Sequence, residues 1–494
     1  MNSLIYIPTG LSSPELEILL SKAQELINIK KKVNIITCHG GKNYTCSLNP
    51  YAQKTICFSC KNRLNNGLKN LKGSYNLSTT PKNVIKRVFP TKFLQNRKKL
   101  FKLFYKNIDI GTSSYSSYLN ITRDLNLEGY YSLESLKKIL NCSATLTDYF
   151  FNYLRNNKVD EIFIFNGRMS QDRPLFRIAK ILNIKINIME YSQTLKYFNG
   201  VRNFKDNLPF DYNYFSKKIK KFKSKLKLAQ QKENFDKYFK KKQKGDVVND
   251  KTSYIKNQVK NLLPKKWNFK KKNIVFFTSS DDEYEVLGDQ YKSLVYKSQI
   301  DSITKIAKSF NGQSKKNYNF WIKMHPNMKN VKWDYCLDIL KLRNISPNIH
   351  IIKPESKVSS YEMIEQCDKF LTFNSSSAVE AVYLKKPTIL LSKTYFDKLN
   401  CFYTPKDHRH NLKLIFNSIK PKNKDIKKFV NFWVETGQNQ KFFSHKFLKD
   451  YRFNKSSIKF NFLHQQIYFF SRFFTHFFYQ NINYYFRNLK ITKV

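Results

Sequence analysis

Three short polar segments each follow an apolar segment in the second half of the chain. They are Thr278-Ser279-Ser280, His325-Pro326-Asn327 and Asn374-Ser375-Ser376-Ser377. Each apolar segment has the length of a β-strand, and ligands of a doubly wound sheet bind beyond the carboxyl ends of its strands. Hydroxyl groups, an imidazole and the first amides of a helix are all groups that bind phosphate. The three segments therefore predict a ligand site at one edge of a sheet.

The serine segment is predicted to open a helix. The first amides of a helix lack partners within it and lie at the positive end of its dipole, so they suit a phosphate together with the serine hydroxyls. Simple capping of the helix by serine is the alternative. Glu380 lies one helical turn beyond Ser376. Its carboxylate would bind ribose hydroxyls there, or it is an ordinary solvated helix residue.

His325 follows the apolar segment at 320–324, and Pro326 stiffens the turn that presents it. Its imidazole could donate a hydrogen bond to a phosphate or to a leaving group. A histidine after a strand can also serve only to tie down its own loop. Both interpretations stay open.

Four cysteines lie close together near the amino terminus, at Cys38, Cys46, Cys57 and Cys60. Four thiolates can bind a structural zinc ion in tetrahedral geometry. The first two gaps fit no standard zinc finger. Reduced buried thiols and a redox pair are therefore open beside the zinc site.

Apolar and amphipathic segments alternate along the chain, which predicts strands that alternate with helices. In the first half the predicted strands are 4–7, 33–37, 162–165 and 184–189, and the predicted helices are 14–27 and 172–182. In the second half the strands are 273–278, 320–324, 349–352, 369–373 and 388–391, and the helices are 291–310, 333–342, 360–367 and 376–384. Such alternation is typical of α/β proteins with parallel sheets covered by helices.

Length and charge narrow the class of protein. The chain has 494 residues, enough for two domains, and its 89 Lys and Arg against 36 Asp and Glu give a formal net charge of +53. Such a charge attracts phosphates, nucleic acid or anionic membranes. Lys, Asn, Ile, Phe and Tyr are enriched together, as an AT-rich genome would favour, so roughly half of the basic excess is assigned to codon usage and charge alone identifies no partner.

The amino terminus lacks the pattern of a signal peptide, and no run approaches the ~18 apolar residues of a spanning helix. The sequence therefore predicts a cytoplasmic protein with mostly reduced cysteines. At the other end of the chain, phenylalanines repeat at helical spacing, at Phe469, Phe470, Phe473, Phe474, Phe477 and Phe478. Such a helix would lie in a membrane interface or dock across two domains.

Several stretches resemble the capsule polysaccharide biosynthesis glycosyltransferases. They are Phe-Phe-Thr-Ser-Ser-Asp-Asp-Glu-Tyr at 276–284, Trp-Ile-Lys-Met-His-Pro-Asn at 321–327, Phe-Asn-Ser-Ser-Ser-Ala-Val-Glu-Ala at 373–381, and the segment that continues to 388. A His-Pro pair followed by a Ser-Ser pair also resembles bacterial sialyltransferases, Kdo transferases and polyol-phosphate transferases, which use CMP- or CDP-linked donors. The likeness covers residues 273–400, and the first half matches only in outline, through Asn166-Gly167-Arg168 and Glu190.

The resemblance implies an α/β protein of the GT-B type, with two Rossmann-like domains, a cleft between them and a carboxyl-terminal helical extension. The expected parts are an acceptor domain at 1–215, a Lys-rich linker or helical segment at 216–272, a nucleotide-sugar-binding domain at 273–415 and an aromatic-rich helical extension at 416–494. The Lys runs within 216–272 are typical of a solvated helix face or linker.

The resemblance also implies which residues bind the donor. His325 and the serines Ser375, Ser376 and Ser377 would contact the phosphate of a cytidine nucleotide. The expected donor is a CMP-activated sugar, such as a nonulosonic acid of the sialic acid or Kdo type. The expected acceptor is a surface polysaccharide or a lipid-linked precursor, which would place the enzyme on the inner face of the cytoplasmic membrane.

No Asp-x-Asp metal-nucleotide motif lies in a suitable loop, so the resemblance implies transfer without a catalytic metal. A general base must then deprotonate the acceptor hydroxyl. Glu190 and Asp109 are the candidates in the first domain, and Arg168 and Arg173 could hold an anionic acceptor. An acid that only satisfies nearby amides is the alternative for each carboxylate.

Two other functions stay open. A polyol-phosphate transferase that uses a CDP-alcohol needs the same phosphate loop and histidine. A basic nucleic-acid-binding protein would explain the charge, but it predicts a recognisable binding module, which the sequence lacks. It would also leave the three polar segments unexplained, so we expect no nucleic-acid partner.

Overall fold

The computed structural model describes residues 1–41, 43–94, 96–129, 132–191, 200–209, 211–244, 254–312, 315–445 and 450–491, except for the side chains of 476, 478–480 and 482–491. The chain divides into two units. Unit 1 comprises Met1–Ser192, Gly200–Pro209 and Gln438–Val494, and unit 2 comprises Gln193–Asn199 and Phe210–Gly437.

Three sheets lie within the described residues. Their strands are β1 (Asn2–Ile7), β2 (Lys32–Thr37), β3 (Asn76–Thr79), β4 (Glu161–Phe165), β5 (Lys185–Tyr191), β6 (Val201–Lys205), β7 (Lys272–Phe277), β8 (Tyr318–Lys323), β9 (Ile349–Ile352), β10 (Lys369–Thr372), β11 (Thr388–Leu390), β12 (Phe443–His445), β13 (Tyr451–Phe453) and β14 (Ser456–Ser457). Unit 1 has the order β3-β2-β1-β4-β5-β6, in which only β6 is antiparallel. Unit 2 has the all-parallel order β11-β10-β7-β8-β9. Strands β12, β13 and β14 form a small antiparallel sheet in unit 1.

Helices connect the parallel strands. They are α1 (Glu15–Asn28), α2 (Lys54–Leu68), α3 (Thr91–Leu94), α4 (Arg97–Leu100), α5 (Ile110–Thr122), α6 (Ser132–Asn156), α7 (Arg173–Ile181), α8 (Tyr212–Lys221), α9 (Leu228–Gln243), α10 (Asp281–Glu285), α11 (Gln299–Lys308), α12 (Asp334–Lys341), α13 (Ser360–Gln366), α14 (Ser377–Tyr383), α15 (His408–Phe416), α16 (Ile426–Glu435) and α17 (Phe462–Ile491). None of the described helices combines the length and the apolar character that crossing a bilayer requires.

In both large sheets the strand order reverses beside the first strand, as in Rossmann-like folds. The central strands are apolar on both faces: β1 and β7 each bury five of their six residues. Strands covered by helices on both sides need such continuous apolar runs. The predicted α/β class with two Rossmann-like parts is thus confirmed.

One predicted helix starts later than expected. The segment predicted as a helix at 291–310 becomes helical only at Gln299. The side chain of Ser298 accepts a hydrogen bond from the amide of Asp301, which starts α11 at this point. Residues 292–298, before α11, are not helical. The apolar side chains among them made the predicted helix extend too far toward the amino terminus.

The Lys-rich segment contains more buried residues than its composition suggests. Helix α9 buries Phe235, Tyr238 and Phe239, which follow the spacing of one helix face. The ring of Phe239 stacks on that of Tyr383 in α14, with centroids 4.1 Å apart. This part of 216–272 is therefore packed into unit 2. The predicted extension at 416–494 is divided, since α16 lies in unit 2 and α17 in unit 1.

We predict that Phe239→Ala lowers the free energy of unfolding by about 3–5 kcal/mol, because it removes a fully buried aromatic ring. Leu228→Ala in the same helix is the matched control. The Leu228 side chain is 82% exposed, so its removal should change stability by less than about 0.5 kcal/mol. Urea denaturation measures both, and equal midpoints for the two variants would show that α9 does not pack.

Candidate functional site

The three polar segments predicted from the sequence follow three neighbouring strands. Strand β7 lies between β10 and β8, and Phe277 at its end pairs with Thr372 on one side and Lys323 on the other. Because the strands are parallel and end in register, the segments that follow them begin at the same edge of the sheet. We call this edge, formed by 278–280, 325–327 and 374–377, the unit 2 rim.

Hydrogen bonds join the first two segments of the unit 2 rim. The amide of His325 donates to Thr278 Oγ1 at 2.8 Å, and the amide of Thr278 donates to the carbonyl of Lys323 at 3.0 Å. Thr278 is only 1% exposed. The turn that carries His325 is therefore held directly against the end of β7.

The His325 ring is held in one tautomer. Its Nδ1 accepts a hydrogen bond from the amide of Asn327 at 3.2 Å, which places the proton of the neutral ring on Nε2. The ring of Tyr254 meets it edge-on at 5.5 Å. Asn327 is oriented in turn, because its Nδ2 donates to Glu283 Oε1 at 2.7 Å. The imidazole thus has the donor on Nε2 that the predicted role requires.

Two polar atoms at the unit 2 rim are buried and lack a hydrogen-bond partner. They are Ser279 Oγ and Asn374 Oδ1, in side chains that are 2% and 3% exposed. The backbone of Ser279 is fixed by Gln299, whose Oε1 accepts from the Ser279 amide at 2.6 Å and whose Nε2 donates to the Ser279 carbonyl at 3.1 Å. Each unsatisfied buried group costs about 1–3 kcal/mol, so a ligand that bonds to both would be favoured.

The remaining hydroxyls of the rim bond within their own segments. Ser280 Oγ donates to Asp282 Oδ1 at 2.5 Å. Ser375 Oγ accepts from the amide of Ser377 at 3.3 Å and lies 3.0 Å from Ser377 Oγ, while Ser376 is exposed. Ser375 and Ser377 therefore bond to each other at the start of α14, while the side chain of the N-cap residue Ser376 makes no capping hydrogen bond.

Glu380 is paired with a lysine. Its carboxylate forms an ion pair with Lys242 of α9, and both side chains are largely buried. Burial of the ammonium would lower the pKa of Lys242. The Glu380 carboxylate outweighs this effect and raises the pKa above its usual value. A ribose bound by Glu380 would share the carboxylate with Lys242.

A cavity of about 610 Å³ opens beside the turn that carries His325. It lies between that turn and the segments 254–259 and 354–357. Its lining mixes amides and apolar groups with three lysines and one carboxylate, at Lys256, Lys329, Lys357 and Glu355. Unit 2 thus has room for a ligand directly beside the rim.

Sequence reasoning missed Lys323, which ends β8 two residues before His325. The side chain is 5% exposed, and its Nζ donates to the carbonyl of Val358 at 3.3 Å. Burial lowers the pKa of this lysine to about 8. The only signal in the sequence was a lysine between Ile322 and Met324 in an otherwise apolar strand.

In unit 1, Glu190 ends β5 and is oriented by its neighbours. Its carboxylate accepts from Asn166 Nδ2 at 2.7 Å and from the amide of Tyr191 at 3.1 Å. Asn166 has a φ of 60°, a conformation that Asn tolerates better than most residues, and its Oδ1 accepts from the Arg168 amide at 3.3 Å. Burial raises the pKa of Glu190, partly opposed by these hydrogen bonds and by the charge of Arg168.

Asp109 has a different environment. Its carboxylate accepts hydrogen bonds from both Arg173 and Arg177, with Nε to Oδ1 distances of 2.9 and 3.0 Å. Burial alone would raise its pKa, but the two guanidinium groups hold the pKa of Asp109 well below its usual range. Asp109 is therefore a poor proton acceptor, and Arg173 neutralises it instead of standing ready for an anionic acceptor.

Two further carboxylates of unit 1 were missed by sequence reasoning. Burial raises the pKa of Glu15 to about 8. The nearby carboxylates of Glu190 and Glu17 also raise this pKa, while a hydrogen bond from Ser12 opposes the shift. Burial and the charge of Glu15 also raise the pKa of Asp172, whose Oδ1 is buried without a hydrogen-bond partner. Glu15 begins α1 and Asp172 immediately precedes α7. Because they are far apart in the sequence, their interaction is visible only in the folded chain.

The four amino-terminal cysteines line one small cavity together with Leu11, Tyr44 and Ile56. Cys60 Sγ accepts from the amide of Gly10 at 3.1 Å, and Cys57 Sγ accepts from Asn49 Nδ2 at 3.3 Å. Burial raises the pKa of all four thiols, that of Cys57 to about 11. Within the described part of the chain, no three His, Cys, Asp or Glu side chains are arranged to bind a metal ion. The four thiols share one cavity, and the zinc site predicted at Cys38, Cys46, Cys57 and Cys60 stays a prediction.

Residues 189–400 match the family model described as capsule polysaccharide biosynthesis protein. The matched residues make up less than half of the chain. The matched region contains the entire unit 2 rim and begins at the end of β5, where Glu190 lies. The carboxylates Glu15 and Asp109 and the helix α17 lie outside it.

Solved structures resemble the chain only distantly. The beta Kdo 2,4 transferase KpsC of Thermosulfurimonas dismutans has 11% sequence identity and a TM-score of 0.34, over 55% of this chain and 79% of that one. The Methanocaldococcus jannaschii UDP-GlcNAc 2-epimerase in complex with UDP-GlcNAc and UDP has 12% identity and a TM-score of 0.30, over 88% and 100%. No curated protein is significantly similar in sequence. Scores of this size establish no shared activity.

The raised pKa of Glu15 predicts how the stability of the protein depends on pH. Between the usual pKa of 4.5 and the folded value of about 8, the folded chain keeps a proton that the unfolded chain has lost. Stability is therefore highest below about pH 4.5 for this group and decreases as the pH rises to 8. We expect the melting temperature to fall from pH 6 to pH 8.5, and to fall less in Glu15→Gln.

Glu233→Gln is the control, because Glu233 is exposed. Melting temperatures of the wild type and both variants, measured by calorimetry at the same series of pH values, decide the matter. If Glu15→Gln and Glu233→Gln have the same slope as the wild type, Glu15 is ionised in the folded protein.

Proposed function

We propose that the protein is a metal-independent glycosyltransferase of capsule polysaccharide synthesis that takes its sugar from a CMP-activated donor. The proposed sugar is a nonulosonic acid of the sialic acid or Kdo type. The proposed acceptor is a polysaccharide or a lipid-linked precursor. The phosphate of the donor would bind at the unit 2 rim.

The pair of unsatisfied atoms at the rim is the observation that carries this proposal. The hydroxyl of Ser279 can donate to a phosphate oxygen. Asn374 Oδ1 is an acceptor, and a ribose hydroxyl or the amino group of cytosine can donate to it. A nucleotide offers an acceptor and a donor on one molecule, so it would satisfy both atoms, whereas a simple anion would satisfy only Ser279.

His325 would assist the departure of the nucleotide. As the bond between the sugar and the phosphate breaks, negative charge develops on the phosphate oxygen that leaves. A hydrogen bond from His325 Nε2 to that oxygen would strengthen during this step, which lowers the barrier. The ammonium of Lys323, buried two residues earlier in the chain, adds positive charge below the same rim. These cationic and donor groups support transfer without a divalent metal.

Glu190 is the proposed general base. Its raised pKa makes its carboxylate a stronger proton acceptor than an ordinary glutamate. The hydrogen bonds from Asn166 and from the Tyr191 amide orient the carboxylate. Asp109, the other candidate from the sequence, is held by two arginines and is not proposed as the base.

The release of CMP from CMP-activated sugars, measured with wild type and His325→Ala, tests the proposal. We expect turnover to fall by roughly 10²–10³-fold in His325→Ala, with an unchanged melting temperature. His410→Ala is the matched control, because His410 Nδ1 also accepts a backbone amide, that of Lys406, at 3.1 Å. Its turnover should stay near that of the wild type.

Two results would contradict the proposal. A His325→Ala variant with near-normal turnover and a lowered melting temperature would show that the imidazole only ties down its loop. Activity with CDP-linked polyols and none with CMP-sugars would identify a polyol-phosphate transferase instead.

A further inference from the structure

Helix α17 contacts unit 1 through its polar face. Ser471 Oγ donates to Thr55 Oγ1 at 2.8 Å, and Thr475 Oγ1 donates to Gln53 Oε1 at 2.7 Å. Thr55 lies in the first turn of α2, and Gln53 immediately precedes that helix. Thr475 is 4% exposed. Hydrogen bonds between hydroxyls and an amide thus fix which side of α17 faces the protein.

The opposite face of α17 is apolar and exposed. The exposed fractions are 79% for Phe462, 63% for Leu463, 57% for Phe469, 67% for Phe470 and 65% for Phe473. A surface helix of a globular protein normally has the reverse orientation, with its apolar face on the core and its polar face in water. An exposed and predominantly apolar face of this kind, interrupted by Gln466, marks an interaction surface.

The charge of this part of the chain indicates what the surface binds. Residues 451–494 contain seven Lys and Arg and no Asp or Glu. Lys455 and Lys459, which precede the helix, are exposed. Cations next to a stripe of aromatic side chains are the pattern of helices that lie in the interface of an anionic bilayer.

We propose that the exposed face of α17, formed by Phe462, Leu463, Phe469, Phe470 and Phe473, docks the protein on the surface of an anionic lipid bilayer. The aromatic rings enter the boundary between head groups and acyl chains, and the neighbouring lysines and arginines lie near lipid phosphates. This docking goes beyond the proposed sugar transfer and does not depend on it.

A second copy of the chain fits this face less well. A twofold symmetric dimer would place the same surface of each copy against the other. The cations of 451–494 would then approach one another with no acidic residue in that segment to neutralise them. An anionic bilayer supplies the opposite charge instead.

Flotation of the 494-residue chain with vesicles tests the docking. We expect the wild type to float with vesicles of phosphatidylcholine and phosphatidylglycerol and to bind pure phosphatidylcholine much more weakly. The triple variant Phe469→Ser, Phe470→Ser, Phe473→Ser should lose on the order of 10²-fold in partitioning, because three apolar rings no longer enter the interface. The double variant Lys455→Glu, Lys459→Glu should lose about tenfold or more on the anionic vesicles.

Phe104→Ser and Phe269→Ser are the matched controls, since these side chains are 56% and 71% exposed and lie outside α17. Both should float like the wild type. Because the three rings that the triple variant lacks are exposed in the wild type, its melting temperature should not change. If the triple variant is nevertheless unstable, the single variant Phe470→Ser replaces it, and a smaller loss of flotation supports the docking.

Three outcomes would overturn the docking. They are a wild type that does not float with anionic vesicles, a folded triple variant that floats as well as the wild type, and a lipid-free dimer that the triple variant converts to a monomer. The last would show that the face binds a second copy. Since flotation measures no sugar transfer, none of these outcomes bears on the proposed reaction.

Discussion

The register of β7 against its two neighbours is the constraint on which the candidate site depends. Asn273 at the start of β7 is 2% exposed, and its Oδ1 accepts from Trp321 Nε1 at 2.9 Å and from Asn319 Nδ2 at 3.2 Å, both in β8. Its amide donates to Asp368 Oδ2 at 2.8 Å, next to the start of β10. A slip of β7 by one residue would turn each of its side chains to the other face of the sheet. The buried side-chain amide of Asn273 would then lose its partners, at a cost of about 1–3 kcal/mol. Because the register is fixed where the strands begin, their polar segments meet where the strands end, around His325.

The two units supply different chemistry at the carboxyl ends of their strands. The unit 2 rim has hydroxyls, an imidazole with its proton on Nε2 and the buried ammonium of Lys323, all suited to a phosphate. In unit 1, carboxylates with raised pKa values lie after β1, at Glu15, and near the end of β5, at Glu190. The sugar transfer proposed above calls for a group of each kind, one that stabilises the charge on the departing phosphate and one that accepts the proton of the acceptor hydroxyl.

The sequence predicted the strands and the rim well, because both depend on local pattern. The apolar run before Thr278 has the length of a strand, and three such runs with polar ends can only meet at one edge of a parallel sheet. Contacts between distant residues were not predictable in this way. Asp109 is neutralised by Arg173 and Arg177, which lie more than sixty positions away, and nothing in the local sequence indicates this pairing. Helical spacing likewise predicted the stripe of phenylalanines in α17 but could not show that its polar face is the one that contacts unit 1.

Isothermal titration calorimetry with CMP and UDP on the 494-residue chain tests whether the unit 2 rim binds a cytidine nucleotide. CMP should bind at least about tenfold more tightly than UDP, and Ser279→Ala should weaken CMP binding by about tenfold, because the hydroxyl no longer donates to the phosphate. Ser309→Ala, whose hydroxyl donates at 2.6 Å to the carbonyl of Ile306 in α11, is the control and should bind CMP like the wild type. A preference for UDP, or CMP binding that Ser279→Ala leaves unchanged, would contradict the account.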